Sequence, residues 1–280
     1  MTQQDNSQQR EAWNGVMGSS WSRLQDALDA MMSPVSARLI EAARIKSGEN
    51  ILDIGCGCGP TTIAIGKLVA PNGHVTGVDI SGVLLQSARE RSAKLGLPID
   101  FAEADASTHK FTRTYDKIVS RFGVMFFADP AAAFANLRSA LKPKGEMTFA
   151  CWRSFEENPF MNELTKEASK VVAIPPRPTG YAPGPMGLGD KAFTTAMLET
   201  AGFKNMRMEP FNEALPMPGH TFEERVDFYS TFGPCAALAR EASDKDRKAL
   251  EDVTRRWVKG RMDAGRATQD GACWLVRATN

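Results

Sequence analysis

A doubly wound α/β domain is the fold this sequence predicts, and three observations carry that reading. Short apolar runs alternate with helix-period stretches across residues 50–152, which is the pattern of βαβ units around a mostly parallel sheet. Right-handed crossovers then place helices on both faces. The first apolar run ends in a glycine-rich turn that opens a helix, where a nucleotide-type ligand sits in such sheets. The 280 residues, 42% hydrophobic and 24% charged, have globular composition and enough chain for a buried core.

The elements follow in order. Residues 1–45 are expected to form a helical cap segment. Its first dozen residues read as a polar, frayed tail, and helices follow over 21–32 and 34–44, the second opened by Ser33 as N-cap and Pro34 at the first helical position. Residues 46–152 form the α/β core, with strands at 51–54, 74–79, 99–102, 115–120 and 146–152. Between them, Leu84, Ala88 and Leu95 share one helical face, and Phe134, Leu137 and Leu141 share another. Residues 153–189 form an insertion: a helix over 158–172, then a 15-residue stretch, 175–189, with five prolines and four glycines. A loop of that length is either a lid or a plain mobile insertion. Residues 190–215 return to the core through a helix from Asp190 to about Ala201, a Gly202 C-cap and a strand at 205–211. Residues 216–268 form a second helical insertion, with stripes at Phe222, Val226 and Tyr229 and at Leu250, Val253 and Trp257. Residues 269–280 hold the last strand, at 272–278.

Composition excludes several functions. Lys plus Arg is 34 and Asp plus Glu is 33, a net charge of +1; this argues against a nucleic-acid partner held by phosphate neutralisation. No apolar run is long enough to span a membrane, and residues 1–10 lack the layout of a signal peptide. Five cysteines without paired spacing fit free thiols in a reducing cytoplasm. Cys56 and Cys58 alone cannot build a four-ligand zinc site, so no metal is expected.

The strongest chemical signal is Ile51-Leu52-Asp53-Ile54-Gly55-Cys56-Gly57-Cys58-Gly59-Pro60-Thr61-Thr62. A dinucleotide fingerprint would need a third glycine where Pro60 stands. A second signal, Gly77-Val78-Asp79-Ile80-Ser81, ends the next strand with an acid spaced to accept ribose hydroxyls; a carboxylate capping the following helix is the other reading. A third, Ala102-Glu103-Ala104-Asp105-Ala106, closes the third strand, with an exposed loop acid as its alternative.

Asp53 followed by glycines at 55, 57 and 59 resembles the first motif of class I S-adenosylmethionine-dependent methyltransferases. The segment from Tyr115 through Asp129-Pro130, with Leu141-Lys142-Pro143-Lys144-Gly145-Glu146, is similar to the fourth-strand and fifth-strand motifs of the small-molecule branch that methylates quinones. The turn that usually reads Pro-Gly-Gly is Pro143-Lys144-Gly145. The resemblance is dense over 45–152; beyond that only the general plan matches. It implies a seven-stranded, Rossmann-like sheet in the order 3-2-1-4-5-7-6, strand seven antiparallel, under a helical cap. It implies S-adenosylmethionine as cofactor and S-adenosylhomocysteine as product. Asp53, Gly55, Cys56, Gly57, Gly59, Asp79, Ile80, Asp105, Ala106, Ser120 and Arg121 are the expected cofactor-binding residues. Asp79 would hold the ribose, Asp105 the adenine amino group and Ala106 a ring nitrogen, with Ile80 covering the adenine face.

Methyl transfer from a sulfonium needs positioning more than a catalytic triad. Three residues are candidates for further help. His109 follows the adenine motif closely, His220 lies in the second insertion, and Arg121 ends the fourth strand, where it faces a ligand or pairs with an acid. His74 opens the second strand, at the end expected to be far from the cofactor. No Asn/Asp-Pro-Pro-Tyr/Phe motif follows the fourth strand, and Pro234-Cys235 reads as a loop cysteine rather than a nucleophile. Trp13, Trp21, Phe155, Phe160, Tyr181, Phe228 and Tyr229 lie outside the core as packing or pocket residues. If they wall a pocket, they suit a flat or lipophilic methyl acceptor. A protein or RNA methyltransferase and a non-catalytic S-adenosylmethionine-binding module are the competing readings, and a nicotinamide dehydrogenase stands behind them. Oligomeric state is not legible.

Overall fold

The computed structural model describes residues 6–280. Seven strands, β1 (Asn50–Ile54), β2 (His74–Asp79), β3 (Ile99–Glu103), β4 (Tyr115–Arg121), β5 (Leu141–Trp152), β6 (Lys204–Pro216) and β7 (Thr268–Thr279), form one sheet. Its order is β3-β2-β1-β4-β5-β7-β6, as the resemblance implies. The first five strands pair in parallel, and β7 runs antiparallel to both β5 and β6. The central strands β1 and β2 are buried almost end to end, as parallel strands covered on both faces must be. β6 is an edge strand, half exposed, so Pro210 within it withdraws no donor that a neighbour needs. β6 runs past the expected end at 211, to Pro216, paired with β7 up to Thr268.

The helices of the core are α4 (Pro60–Val69), α5 (Gly82–Lys94), α6 (Pro130–Ser139) and α8 (Lys191–Thr200). Pro60 and Pro130 stand in first turns, where no backbone donor is lost, and Ser81, Asp129 and Asp190 accept the N-terminal amides of α5, α6 and α8. The cap comprises α1 (Ser7–Asn14), α2 (Val16–Arg23), α3 (Gln25–Ala43), α7 (Pro159–Ala168), α9 (Phe222–Thr231), α10 (Pro234–Ala239) and α11 (Asp244–Asp263). α3 packs along β4, β5 and β6, so the cap is anchored directly on the sheet.

Several expectations are corrected. The expected N-terminal tail is helical from Ser7; residues 1–5 of it lie outside the described residues. Ser33 and Pro34 do not start a helix but sit inside α3. Pro34 cannot donate to the Ala30 carbonyl one turn back; the Ser33 hydroxyl does so instead, at 2.9 Å, and the helix continues. Leu95 caps the end of α5 and is 52% exposed rather than sharing the buried face of Leu84 and Ala88. Leu141 begins β5 rather than ending a helix. The strand then carries an irregularity around Lys144, at φ 65°, before regular pairing resumes at Glu146. The helix expected over 158–172 stops at Ala168. Cys235 lies in α10 and is buried, not in a loop.

Candidate active site

The glycine loop follows β1, and its geometry explains its composition. Gly55 has φ 64°, and a Cβ there would stand 2.5 Å from the Cα of Gly123, so two bare backbones cross at that point. Gly57 has φ 55° and lines the cavity; its N–H donates to Asp79 Oδ2 at 2.8 Å. The Ser81 N–H takes the other oxygen, Oδ1, at 2.9 Å. Asp79 is thus held rigidly at the end of β2, 8% exposed, and each oxygen keeps a lone pair for a ligand hydroxyl. Burial pushes its carboxyl above the usual carboxylate range, against the pull of those backbone donors.

A cavity of about 300 Å³ opens here, and its floor includes Gly55, Cys56, Gly57, Asp79, Ile80, Asp105, Ala106 and Arg121. Three expected contacts stand behind that floor instead. Asp53 is 1% exposed, and its carboxylate turns to the first turn of α4, where Thr62 Oγ1 donates to Oδ2 at 2.6 Å. Burial pushes the Asp53 carboxyl up to about 7, against the Thr62 hydrogen bond and the Arg121 charge. Ser120 is fully buried and donates its hydroxyl to the Ile54 carbonyl at 2.7 Å, fastening β4 to the end of β1. Gly59 lets α5 approach; a Cβ there would lie 3.1 Å from that of Ala88. These three shape the loop from behind, and none lines the cavity.

Asp105 accepts three donors on one oxygen. The Ser107 N–H (2.9 Å), the Ser107 hydroxyl (2.6 Å) and Asn6 Nδ2 (2.9 Å) all reach Oδ1. Among the described residues, Oδ2 has no protein donor. Asn6, Gln9 and Trp13 then close the cavity from above. Asn14 at the end of α1 stitches that helix to the loop after β2, donating to the Ile80 carbonyl at 3.1 Å and accepting from the Gly82 N–H at 2.9 Å. None of these N-terminal contacts was legible in the sequence, except that Trp13 stood out as an aromatic beside the core.

The roof is apolar. Trp13, Trp21, Phe160, Phe228 and Tyr229, singled out from the sequence, all line the cavity, joined by Phe122, Phe126, Trp152 and Phe232. Their rings meet edge to face, as between Trp13 and Trp21 at 5.5 Å, or stacked, as between Phe122 and Trp152 at 4.4 Å. Phe122 adopts φ 67°, a left-handed conformation that costs a bulky side chain about 1–3 kcal/mol. Its stack on Trp152 and its N–H bond to the Ala150 carbonyl hold it there. Phe155 and Tyr181 lie elsewhere: the first under the Arg177 guanidinium, the second stacked on Phe193 with its hydroxyl donated to the Phe127 carbonyl. The 175–189 stretch has no helix or strand and contributes Pro185 to the wall.

Charge enters the cavity through Arg121. Its Nη1 donates to Ser36 Oγ at 2.8 Å, and its Nη2 stands 3.9 Å from Asp29, whose other oxygen takes Arg91 at 2.6 Å. Both sequence alternatives therefore hold: Arg121 pairs with an acid and lines the cavity. Burial draws its pKa down, against the pull of Asp29 and Asp53. Neither histidine candidate lines the cavity. The His109 ring packs edge-on to Phe111 while its backbone N–H donates to the Asp105 carbonyl, and His220 is exposed, with its backbone N–H on Glu224. His74 pairs with Asp100 at the far end of the sheet. Burial pushes the cavity thiols up, that of Cys58 to about 11, which makes them poor nucleophiles. Cys235 is shifted upward by burial as well.

A family profile described as a methyltransferase domain matches residues 45–228. Among curated proteins, aklanonic acid methyltransferase DauC of Streptomyces sp. strain C5 is 31% identical over 119 residues, 42% of this chain and 54% of that protein. The chain thus spans about half the length of that relative. Demethylmenaquinone methyltransferase of Staphylococcus aureus is 26% identical over 190 residues, 62% of this chain and 76% of its own length. An uncharacterised Mycobacterium tuberculosis protein is 28% identical over 235 residues, 80% of this chain and 81% of its own. Among solved structures, the YcgJ protein of Bacillus subtilis aligns with a TM-score of 0.56 at 15% identity, over 88% of this chain and 97% of that one. Phosphoethanolamine N-methyltransferase 2 of Haemonchus contortus, solved with S-adenosylhomocysteine, aligns with a TM-score of 0.56 at 16% identity, over 93% and 59%. These structural likenesses establish the shared fold.

Proposed function

The chain belongs to the methyltransferase domain family and is a class I S-adenosylmethionine-dependent enzyme; from that premise we propose that it methylates a small aromatic or lipophilic molecule. One observation carries the reading: a single cavity joins the glycine loop, Asp79 and Asp105 on one side to a wall of tryptophan and phenylalanine rings on the other. Bound S-adenosylmethionine supplies an activated methyl group on a sulfonium. The chain's own residues do the rest. Asp79 accepts the ribose hydroxyls, Asp105 and Ala106 meet the adenine edge, Ile80 covers its face, and Gly57 leaves its backbone open to the methionyl part. Trp21, Phe122, Trp152 and Phe232 exclude water and hold a flat acceptor beside that end. Among the described residues no histidine lines the cavity, and an acceptor whose nucleophile is already ionised or carries a free lone pair needs no base from the wall.

The sequence relatives named for aklanonic acid and demethylmenaquinone fit the same acceptor class. A protein or RNA substrate would call for an open, charged groove. Here the side-chain cation in the wall, Arg121, is already engaged by Ser36 and Asp29. A pure binding module would have no need of the aromatic space beyond the cofactor floor. Among the described residues no helix is long and apolar enough to cross a membrane. With five free, buried cysteines, we place the protein in the cytoplasm.

Calorimetric titration with S-adenosylmethionine, and with NAD as control, tests the cofactor. Transfer of labelled methyl to a panel of hydroxylated naphthoquinones and anthraquinones, against histone peptides and total RNA, tests the acceptor. Label in peptide or RNA alone would overturn the small-molecule reading.

A further inference from the structure

Asn6 is 6% exposed, although it is a polar residue just ahead of the first helix. Asparagine at that position ordinarily caps the helix with its side chain, and here it makes no such bond. Its carboxamide is spent on two loops instead. Oδ1 accepts the Ala128 N–H at 2.7 Å, which fixes which way the amide faces. Nδ2 therefore points to the loop after β3, where it donates to Asp105 Oδ1 at 2.9 Å and stands 3.2 Å from Ser107 Oγ. Asn6 and Asp105 line the same end of the cavity.

From this arrangement we infer that Asn6 is a positioning residue for base recognition: it locks the Asp105 carboxylate so that Oδ2 alone is offered to the ligand. This selects a purine with an amino donor over one with a carbonyl. The inference rests on the proposed cofactor reading and goes beyond it. With the backbone and hydroxyl of Ser107 and the amide of Asn6 all on Oδ1, the carboxylate is held in one orientation and cannot swing Oδ2 away from the ring. An acceptor-only oxygen facing the ring meets the amino group of adenine as a charge-assisted hydrogen bond. The carbonyl of hypoxanthine at the same place sets an acceptor against an acceptor, and its N1–H stands where the adenine ring nitrogen would accept from Ala106. Sites that read a hydrogen-bonding group in this way reject its reversed counterpart strongly.

The test uses the full chain and two ligands, S-adenosylhomocysteine and S-inosylhomocysteine, in which a 6-carbonyl and an N1–H replace the 6-amino group and the bare N1. The wild-type protein is expected to prefer the adenosyl ligand by on the order of a hundredfold or more in calorimetric titration. Asn6→Ala should narrow that ratio by roughly tenfold, the worth of one hydrogen bond to a charged group. Asn6→Asp keeps the acceptor for Ala128 but sets a second carboxylate oxygen against Asp105 in place of the donor, and should narrow it at least as far. Asp105→Asn, which can turn an amide N–H to the ring, should narrow it further than either Asn6 variant, leaving only the part set by Ala106. Equal losses for both ligands in the Asn6 variants would overturn the proposal and leave Asn6 as a strap for α1. An unchanged ratio in Asp105→Asn would overturn it by removing Asp105 from the base. No binding of either ligand to the wild type would instead refute the cofactor reading itself.

Discussion

Asp53 carries a penalty that pH can expose. Its carboxylate is 1% exposed and has Thr62 as its side-chain donor. Burial moves its pKa from 3.8 to about 7. The folded chain therefore holds a proton that the unfolded chain has released, throughout the window from about pH 4 to about pH 7. Stability must fall as pH rises through that window and level off above it. At about 1.4 kcal/mol per unit, full ionisation costs the fold about 4 kcal/mol. More than half of that accrues between pH 5 and pH 8. Asp53→Asn retains an oxygen for Thr62 and removes the titration. Its amide hydrogens cost some stability at every pH in so dry a site, yet its deficit relative to wild type should shrink by about 2–3 kcal/mol from pH 5 to pH 8. Urea unfolding followed by circular dichroism at pH 5, 6, 7 and 8 reads that difference, and other titrating groups, Asp79 included, cancel to first order. Parallel stability profiles for the two proteins would refute the argument that burial governs Asp53.

Three further outcomes follow from the site. Gly57→Val should abolish S-adenosylmethionine binding in calorimetry while the chain still folds with a stability loss of about 1–3 kcal/mol, because a Cβ there meets nothing closer than Leu84 at 4.0 Å and the cost is that of a branched residue at φ 55° in a loop that lines the cavity. Gly123→Ala should instead cost more than about 2 kcal/mol in urea unfolding, since its Cβ would stand 2.5 Å from the Ile54 carbonyl oxygen and 2.6 Å from Gly55 Cα. His109→Ala and His220→Ala should leave methyl-transfer turnover within about twofold of wild type, because neither ring lines the cavity; a hundredfold loss in either would restore it as a base.

What was legible in the sequence is what local chemistry dictates. Apolar runs at 51–54 and 74–79 have to be buried strands, and glycines at 55 and 57 have to be a turn that a ligand approaches. Asp79 follows from its spacing after the glycine loop, and Ile80, Asp105 and Ala106 follow from the family resemblance; all four line the cavity. Illegible features depend on contacts distant in sequence. α1 is polar and a poor helix by its own pattern, and it is held by Asn6 on Asp105 and Asn14 on Ile80, each far away along the chain. Pro34 reads as a helix start until the Ser33 hydroxyl is seen to replace the bond it forfeits. Asp53, Gly59 and Ser120 belong to the motif because the loop cannot keep its shape without them, and a motif does not distinguish a ligand contact from its support. Phe122 carried no signal of its own, since nothing in an isolated Phe-Gly pair foretells a left-handed phenylalanine stacked on Trp152.

The β6–β7 ribbon stays paired to its very tip, where Pro216 faces Thr268 and the Met217 N–H still reaches the Ala267 carbonyl. Residues 217–267, which supply Phe228, Tyr229 and Phe232 to the roof, therefore leave and re-enter the sheet side by side. A tight hairpin could join the same two strands without moving a single register pair, and loop-closure entropy penalises a long insertion only weakly over a short one. This part of the roof thus behaves as an exchangeable cartridge on an unchanged engine. A lineage can acquire a new roof by replacing that one contiguous segment, while the glycine-loop floor beneath it goes on being inherited intact.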